Sequence, residues 1–209
     1  DRFHTSVLYN VVDDAAIRAK ALMPVPDGKK KSKVTVLSVG RFSAQKNFMR
    51  LLRTHQRLLN DGLTHELWIL GDGPEREKLE CFVIDNHLQD SVWMPGFVNN
   101  PYPYMREADL LVCSSSYEGY STFMTEGVIL GKPIVTTDVS GMRELLGDSE
   151  YGLVVENDDE AFYQGLKQML LDEKRRNYYA AEAAERGKCF SAEQLTKTAE
   201  GFFRRLLLK

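Results

Sequence analysis

The sequence predicts an α/β protein, a doubly wound parallel sheet of about six strands with helices added at the carboxyl end. Two observations carry this. Short apolar or β-branched runs recur along the chain, each followed by Gly, Pro, Asn, Asp or Ser, and helix-length segments with apolar residues three and four apart lie between them. After Val155 the strand-type runs stop and the pattern is wholly helical. Strands buried on both faces and separated by helices pair in parallel, and ligands then bind at their carboxyl ends.

The first strand, residues 34–39, is a short apolar and β-branched run that stops at Gly40. Before it lies the one dense basic run, Lys29, Lys30, Lys31 and Lys33, read as a solvated lead-in rather than a membrane or phosphate patch. A helix over 47–60 follows, then a strand over 66–70 that ends in Gly-Asp-Gly-Pro, where Pro74 fits the first position of a helix over 75–86. The third strand, 91–94, leads into P-G-F-V-N-N-P and a short helix over 103–108. The fourth, 109–113, is apolar, and Ser121 or Thr122 caps the helix over 121–130. Strands over 133–136 and 152–155 flank a helix over 141–146, and helices over 158–171, 173–186 and 191–208 close the chain. Ser191 with Gln194 makes a capping box for the last, whose apolar positions are Leu195, Ala199, Phe202, Phe203 and Leu206.

With 209 residues the chain holds one domain of ordinary size plus extra helices. A net charge of -3 supplies no global attraction to nucleic acid, so any anion site is local. Cys81, Cys113 and Cys189 lack metal-type pairing and read as reduced thiols of a cytoplasmic protein. No signal peptide and no apolar stretch near 18 residues is evident, and a start at Asp1 suggests a piece of something longer. His4, His55, His65 and His87 show no partner spacing for a metal or a triad. Ser114 to Ser116 lack the flanking glycines of a nucleophile elbow.

The most telling segment is Y-E-G-Y-S-T-F-M-T-E-G-V-I-L-G-K-P-I-V, in which seven residues separate Glu118 from Glu126. The fourth strand delivers Glu118 onto a loop, and the helix carries Glu126 about one turn in, so both carboxylates face one crevice. A carboxylate accepts two hydrogen bonds side by side, which suits the vicinal hydroxyls of a sugar ring or a ribose. Helix-start electrostatics is the plainer alternative, but neither Ser121 nor Thr122 has Glu126 three residues on, so a capping box does not explain it. Gly119 lets backbone approach a ligand, and the amides near Tyr120, Ser121, Thr122 and Phe123 open a helix toward phosphate.

Three other loops leave strand ends. In G-R-F-S-A-Q-K-N-F, beginning at Gly40, Arg41 and Lys46 bracket a turn into a helix amino terminus, a pairing that favours a diphosphate and is matched in weight by a surface-charge reading. G-D-G-P-E-R-E imitates a dinucleotide fingerprint but has Arg76 where the third small residue belongs, and reads as a structural turn. Around Phe97 and Val98 the backbone could meet a flat ring, with aromatic packing under the loop an equal alternative.

Taken in order, V-L-S-V-G-R-F-S-A-Q-K-N, L-W-I-L-G-D-G-P, M-P-G-F-V-N-N-P, A-D-L-L-V-C-S-S-S-Y-E-G-Y-S and T-E-G-V-I-L-G-K-P-I-V-T-T-D-V-S-G closely resemble the nucleotide-sugar-binding half of retaining family 4 glycosyltransferases, the group 1 glycosyl transferases. The likeness covers about residues 33 to 156, and L-Y-N-V-V-D at 8 to 13 resembles the end of the family's interdomain linker. The resemblance implies a GT-B enzyme of two facing Rossmann-like domains, of which this chain is the carboxyl-terminal, donor-binding one. It divides the chain into a linker end and lead-in segment over 1–30, the donor domain over 31–190 and a crossover helix over 191–209.

Carried over by that resemblance, Gly40, Arg41 and Lys46 hold the donor diphosphate, Glu118 the transferred sugar and Glu126 the ribose hydroxyls. Backbone at Phe97 and Val98 meets the base, and Gly119, Tyr120 and the amides of Ser121, Thr122 and Phe123 meet phosphate or sugar. Arg41, Lys46 and Glu118 are then the catalytic set, and neither cofactor nor obligatory metal is expected. Implied partners are a nucleotide-sugar donor, the missing amino-terminal acceptor domain, and a lipid-linked or polysaccharide acceptor in bacterial surface polysaccharide or glycolipid synthesis. The implied location is cytoplasmic, peripheral at the inner membrane face, and the isolated domain is expected to be inactive without its other half.

Two departures stand out: Tyr120-Ser121-Thr122 replaces a compact turn after the first Glu, and Gly127 replaces a common Ala at a helix-propensity cost of about 1 kcal/mol. An inactive nucleotide-sugar module, or a related phosphorylase or epimerase, fits the same residues.

Overall fold

The computed structural model describes residues 12–26 and 29–207. Most of L-Y-N-V-V-D, residues 8–11, therefore lies outside the described residues, as do His4 and the side chain of Leu206. The strands are β1 (Thr35–Val39), β2 (Glu66–Leu70), β3 (Val92–Gly96), β4 (Leu110–Cys113), β5 (Ile134–Thr137) and β6 (Leu153–Val155). They form one sheet in the order β3-β2-β1-β4-β5-β6, parallel throughout. Helices α2 (Phe48–Asn60), α3 (Arg76–Asp85), α4 (Tyr102–Glu107), α5 (Thr122–Ile129), α6 (Met142–Leu146), α7 (Asp159–Leu171), α8 (Glu173–Gly187) and α9 (Ala192–Leu207) occupy the expected segments. Each predicted boundary is met within two residues.

One helix was not announced by the sequence pattern. Within 1–30, α1 (Asp14–Ala21) is capped by Asp13, whose carboxylate accepts from the Ala16 amide at 2.8 Å, and it buries only Ile17 and Ala21. Two apolar positions are too few to register as a periodic stripe. A 3-10 turn over Lys188–Phe190 also separates α8 from α9, and Phe190 is buried there.

Period-two alternation along the strands sends successive side chains to opposite faces, and each face has its own core. Val36, Leu67, Ile69, Leu110 and Val112 pack with Leu51 and Leu52 of α2, Leu79 of α3 and Phe162 and Leu166 of α7. On the other face Leu37, Trp68, Leu70, Leu111 and Cys113 pack with Tyr104 and Met105 of α4, Met124 and Val128 of α5 and Phe190. Burying each such side chain contributes roughly 1.5 to 3 kcal/mol. The sheet is thereby rigid, and only its strand ends are free to bear chemistry.

The fold also joins two histidines that sequence spacing left apart. His65 donates from Nδ1 to the Leu63 carbonyl at 2.8 Å, so its Nε2 accepts from His55 Nδ1 at 2.8 Å. His55 Nε2 lies 2.9 Å from the Ser91 hydroxyl, which is also 3.1 Å from the Leu88 carbonyl. Both rings are buried, and with both pKa values lowered by that burial they are uncharged at neutral pH. Burial first, and the charge of His65 second, hold His55 down to about 3 from 6.5.

An unfolded His55 takes up its proton near 6.5, and the folded one does so only near 3, so the unfolded chain binds more protons between these values. Stability is full above about 6.5 and falls as the pH drops toward 3. Urea unfolding across that window is expected to show the loss, and a His55→Asn variant, less stable at neutral pH, a shallower one.

Candidate functional site

The strand order reverses between β1 and β4, and the loops that leave them diverge and open a crevice. These two loops are stitched together before any ligand is considered. The Ser116 amide donates to the Gln45 carbonyl at 2.8 Å, and the Ser114 hydroxyl reaches the carbonyls of Lys46 and Asn47 at 3.0 and 3.1 Å. Asn47, left-handed at φ 47, caps α2 through the Arg50 amide and donates from Nδ2 to the Ser116 hydroxyl at 3.1 Å. Arg50 ties the Ser114 carbonyl to Asn157 and Asp159 beyond β6.

On that floor Lys46 and Glu118 meet. The Lys46 ammonium lies 2.6 Å from Glu118 Oε1, and the Ser115 hydroxyl donates to the same oxygen at 2.6 Å. Gln45 Nε2 lies 3.3 Å from Oε2. The Glu118 side chain is only 5% exposed against 23% for Lys46, so this is a largely desolvated ion pair. The Lys46 stem runs across Gly40, where an added Cβ would sit 3.4 Å from Lys46 Cε.

Glu126 projects from α5 and accepts from the Tyr102 hydroxyl of α4 at 2.9 Å. Burial pushes its carboxyl above the ordinary range while the Tyr102 hydrogen bond pulls it back. The phenol itself is pushed up to about 12, chiefly by burial and then by the Glu126 charge.

A cavity of about 460 Å³ opens at the ends of β1, β2 and β3, lined by Val39, Gly40, Arg41, Leu70, Gly71, Asp72, Phe97 and Val98. Arg41 is exposed and makes no side-chain hydrogen bond or ion pair among the described residues. Phe97 is 75% exposed, so aromatic packing under its loop does not hold, whereas Val98 packs against the core. Phe123 is core, leaving only its amide for a ligand, and Thr122 is exposed. Ser121 is the cap of α5, accepting from the Met124 amide at 3.4 Å, so the first amides of the helix have no intrahelical acceptor. A Cβ on Gly119 would touch nothing, and Tyr120 packs against Gly141.

The Gly-Asp-Gly-Pro turn has a structural reason, as read from the sequence. A Cβ on Gly71 would fall 1.9 Å from the Gly40 carbonyl oxygen, and one on Gly73 would fall 2.5 Å from that of Phe42. The same turn also lines the cavity through Gly71 and Asp72, which the sequence did not announce. Nor did it announce Gln45, Ser115 or Tyr102, whose roles exist only once separate loops are brought together. The serine run pointed to Ser115 only by its place three residues before Glu118. Gly127 also gains a reason: a Cβ there would come 2.6 Å from Leu111 Cδ1 in the core.

The family described as "Glycosyl transferases group 1" matches residues 21–186. Among curated proteins the chain is 39% identical over 195 residues to the N-acetylgalactosamine-N,N'-diacetylbacillosaminyl-diphospho-undecaprenol 4-alpha-N-acetylgalactosaminyltransferase of Campylobacter jejuni, covering 92% of this chain and 52% of that protein. It is 33% identical over 153 residues to the lipopolysaccharide core biosynthesis glycosyltransferase LpsE of Rhizobium meliloti, covering 73% of this chain and 43% of that one. The chain thus spans about half the length of the curated relatives it matches. Among solved structures it shares its fold with a glycosyltransferase from Rickettsia africae, at TM-score 0.80 and 16% identity over 97% of this chain and 57% of that one. Anabaena HepE in complex with UDP gives TM-score 0.79 and 17% identity over 96% and 57%.

Two outcomes follow from the geometry alone. Gly71→Ala places a side chain on backbone at φ 145 and is expected to cost about 2 to 4 kcal/mol in urea unfolding. Tyr102→Phe removes the donor to Glu126 and is expected to move that carboxyl further up in an NMR titration. Because the folded carboxyl then holds its proton above the unfolded value, stability falls more as pH rises through that interval.

Proposed function

The chain belongs to the glycosyl transferases of group 1 and has the architecture of one half of a GT-B fold, and from that premise we propose that it is the half that binds a nucleoside diphosphate sugar and presents the sugar for transfer. The observation that carries this reading is the junction of Lys46, Ser115 and Glu118 at the strand-order reversal, beside a cavity with the exposed cation Arg41 at its lip. A cation pair and a buried carboxylate at one crevice match a ligand with a diphosphate at its middle and a polyhydroxyl ring at its end.

In this reading the base enters the cavity against Phe97 and the backbone of Val98, and the ribose hydroxyls reach Glu126, which Tyr102 orients. The diphosphate lies between Arg41, Lys46 and the amino terminus of α5, and the sugar hydroxyls reach Glu118. Breaking the bond from the anomeric carbon to the phosphate oxygen leaves a sugar with cationic character and a diphosphate of growing negative charge. The two cations and the aligned amides of α5 stabilise that charge, in the place a divalent ion would otherwise take. Transfer proceeds with retention of anomeric configuration.

The remaining half of the protein supplies the acceptor site and closes the crevice, so this chain binds donor and does not by itself transfer. Given the relatives, whose names specify a diphospho-undecaprenol acceptor and lipopolysaccharide core biosynthesis, the acceptor class is a bacterial glycolipid or polysaccharide presented at the inner membrane face. No helix among the described residues is long and apolar enough to cross a membrane.

Calorimetry of this chain with uridine, guanosine and adenosine diphosphates and their sugars tests the reading, and saturable binding of one series is expected. The Arg41→Ala/Lys46→Ala double variant is expected to lose most of it, at ~1.5 to 3 kcal/mol per charged contact, with its unfolding midpoint retained. Glu126→Ala is expected to weaken diphosphate and sugar forms alike, and Glu118→Ala chiefly the sugar form. Unchanged affinity in the double variant would remove the assignment.

A further inference from the structure

We infer that the Lys46–Glu118 ion pair is one state of an exchange, in which an incoming diphosphate takes the Lys46 ammonium and Ser115 holds the released Glu118 carboxylate for a sugar hydroxyl. The inference rests on the donor-site reading above and adds to it a positioning role for Ser115.

The starting point is a conflict of occupancy. Lys46 and Glu118 are assigned to different parts of one ligand, yet here they face each other at 2.6 Å. Glu118 Oε1 already accepts from both Lys46 and Ser115, and a carboxylate oxygen has about two acceptor positions. Oε2 meets Gln45 at 3.3 Å, and the side chain is 5% exposed. A sugar hydroxyl gains Oε1 only if one of its two donors leaves.

Which donor leaves follows from how each is held. Ser115 is buried, its carbonyl accepts from the Thr137 hydroxyl at 2.7 Å, and its own hydroxyl turns on a single torsion. Lys46 hangs on a four-carbon stem laid over Gly40, which itself lines the cavity, and its side chain is 23% exposed. The ammonium can swing toward a diphosphate beside Arg41 without moving backbone, whereas the fixed backbone of Ser115 keeps its short side chain near Glu118. Ligand entry thus replaces one anion on Lys46 with another of greater charge, and the vacated position on Oε1 faces the ligand. A nucleoside diphosphate without its sugar must break the ion pair and leaves that position unfilled. The sugar-bearing form fills it.

Calorimetry with uridine diphosphate and uridine diphosphate glucose, or with the guanosine or adenosine pair if the wild-type chain prefers it, tests the exchange. Glu118→Gln keeps the shape and removes the charge that holds Lys46, and it is expected to bind the nucleoside diphosphate about fivefold more tightly than wild type. Ser115→Ala is expected to weaken the sugar form about tenfold more than the diphosphate, and Ser115→Thr to restore the ratio. A merely structural Ser115 would lower both affinities together. If Glu118→Gln binds the diphosphate no more tightly while the Arg41/Lys46 variant loses it, the exchange is overturned and the donor site stands. If wild type binds none of the three diphosphates, both fall.

Discussion

The seam between residues 45–47 and 114–116 is the constraint on which the rest of the site depends. Two loops that leave neighbouring strands in opposite directions expose backbone carbonyls and amides that no ladder can satisfy. Here they satisfy each other: the carbonyls of Gln45, Lys46 and Asn47 take donors from Ser116 and Ser114. Lys46 is thereby fixed at its Cα within reach of Glu118, although the two are 72 positions apart in sequence. Without the seam the two charges would be mobile surface groups, and a pair of that kind contributes about 1 kcal/mol or less.

Much of the fold was legible because its signals are local. Runs such as Leu67 to Leu70 and Leu110 to Cys113 are apolar on both faces and end in loop-forming residues, which places them in a covered parallel sheet. The helix α1 escaped because Ile17 and Ala21 alone anchor it, and its worth comes from packing on α4 and α5 that no window of sequence contains. The strand order itself is a property of the crossovers between strands, and no local run of sequence contains it.

The candidate site was legible in its charged members and illegible in the neutral groups that contact them. Arg41, Lys46, Glu118 and Glu126 stand out as polar residues at the ends of apolar strands or the start of a helix. Ser115, Gln45 and Tyr102 do not, since a serine in a serine run, a glutamine in a polar loop and a tyrosine opening a short helix are ordinary in those places. Their meaning arises from contacts to residues between three and 73 positions away. His55 and His65 show the same limit, because ten positions along a helix and a turn give no sign that two ring nitrogens will meet. Gly71 was visible as a turn residue, but the carbonyl of Gly40 that forbids a larger side chain belongs to the loop leaving the adjacent strand β1.

The serines of the seam have one further consequence, which lies in the entropy of the folded state. A hydroxymethyl side chain has a single heavy-atom torsion to lose, so fixing Ser114, Ser115 and Ser116 costs little, whereas each long side chain held still costs up to about 2 kcal/mol. A platform of short rotors can therefore be immobile at low entropic cost, and the disorder that remains is concentrated in the long side chains that stand on it. Arg41, exposed and without a side-chain partner among the described residues, is one of these, and substitutions in the platform leave its freedom untouched.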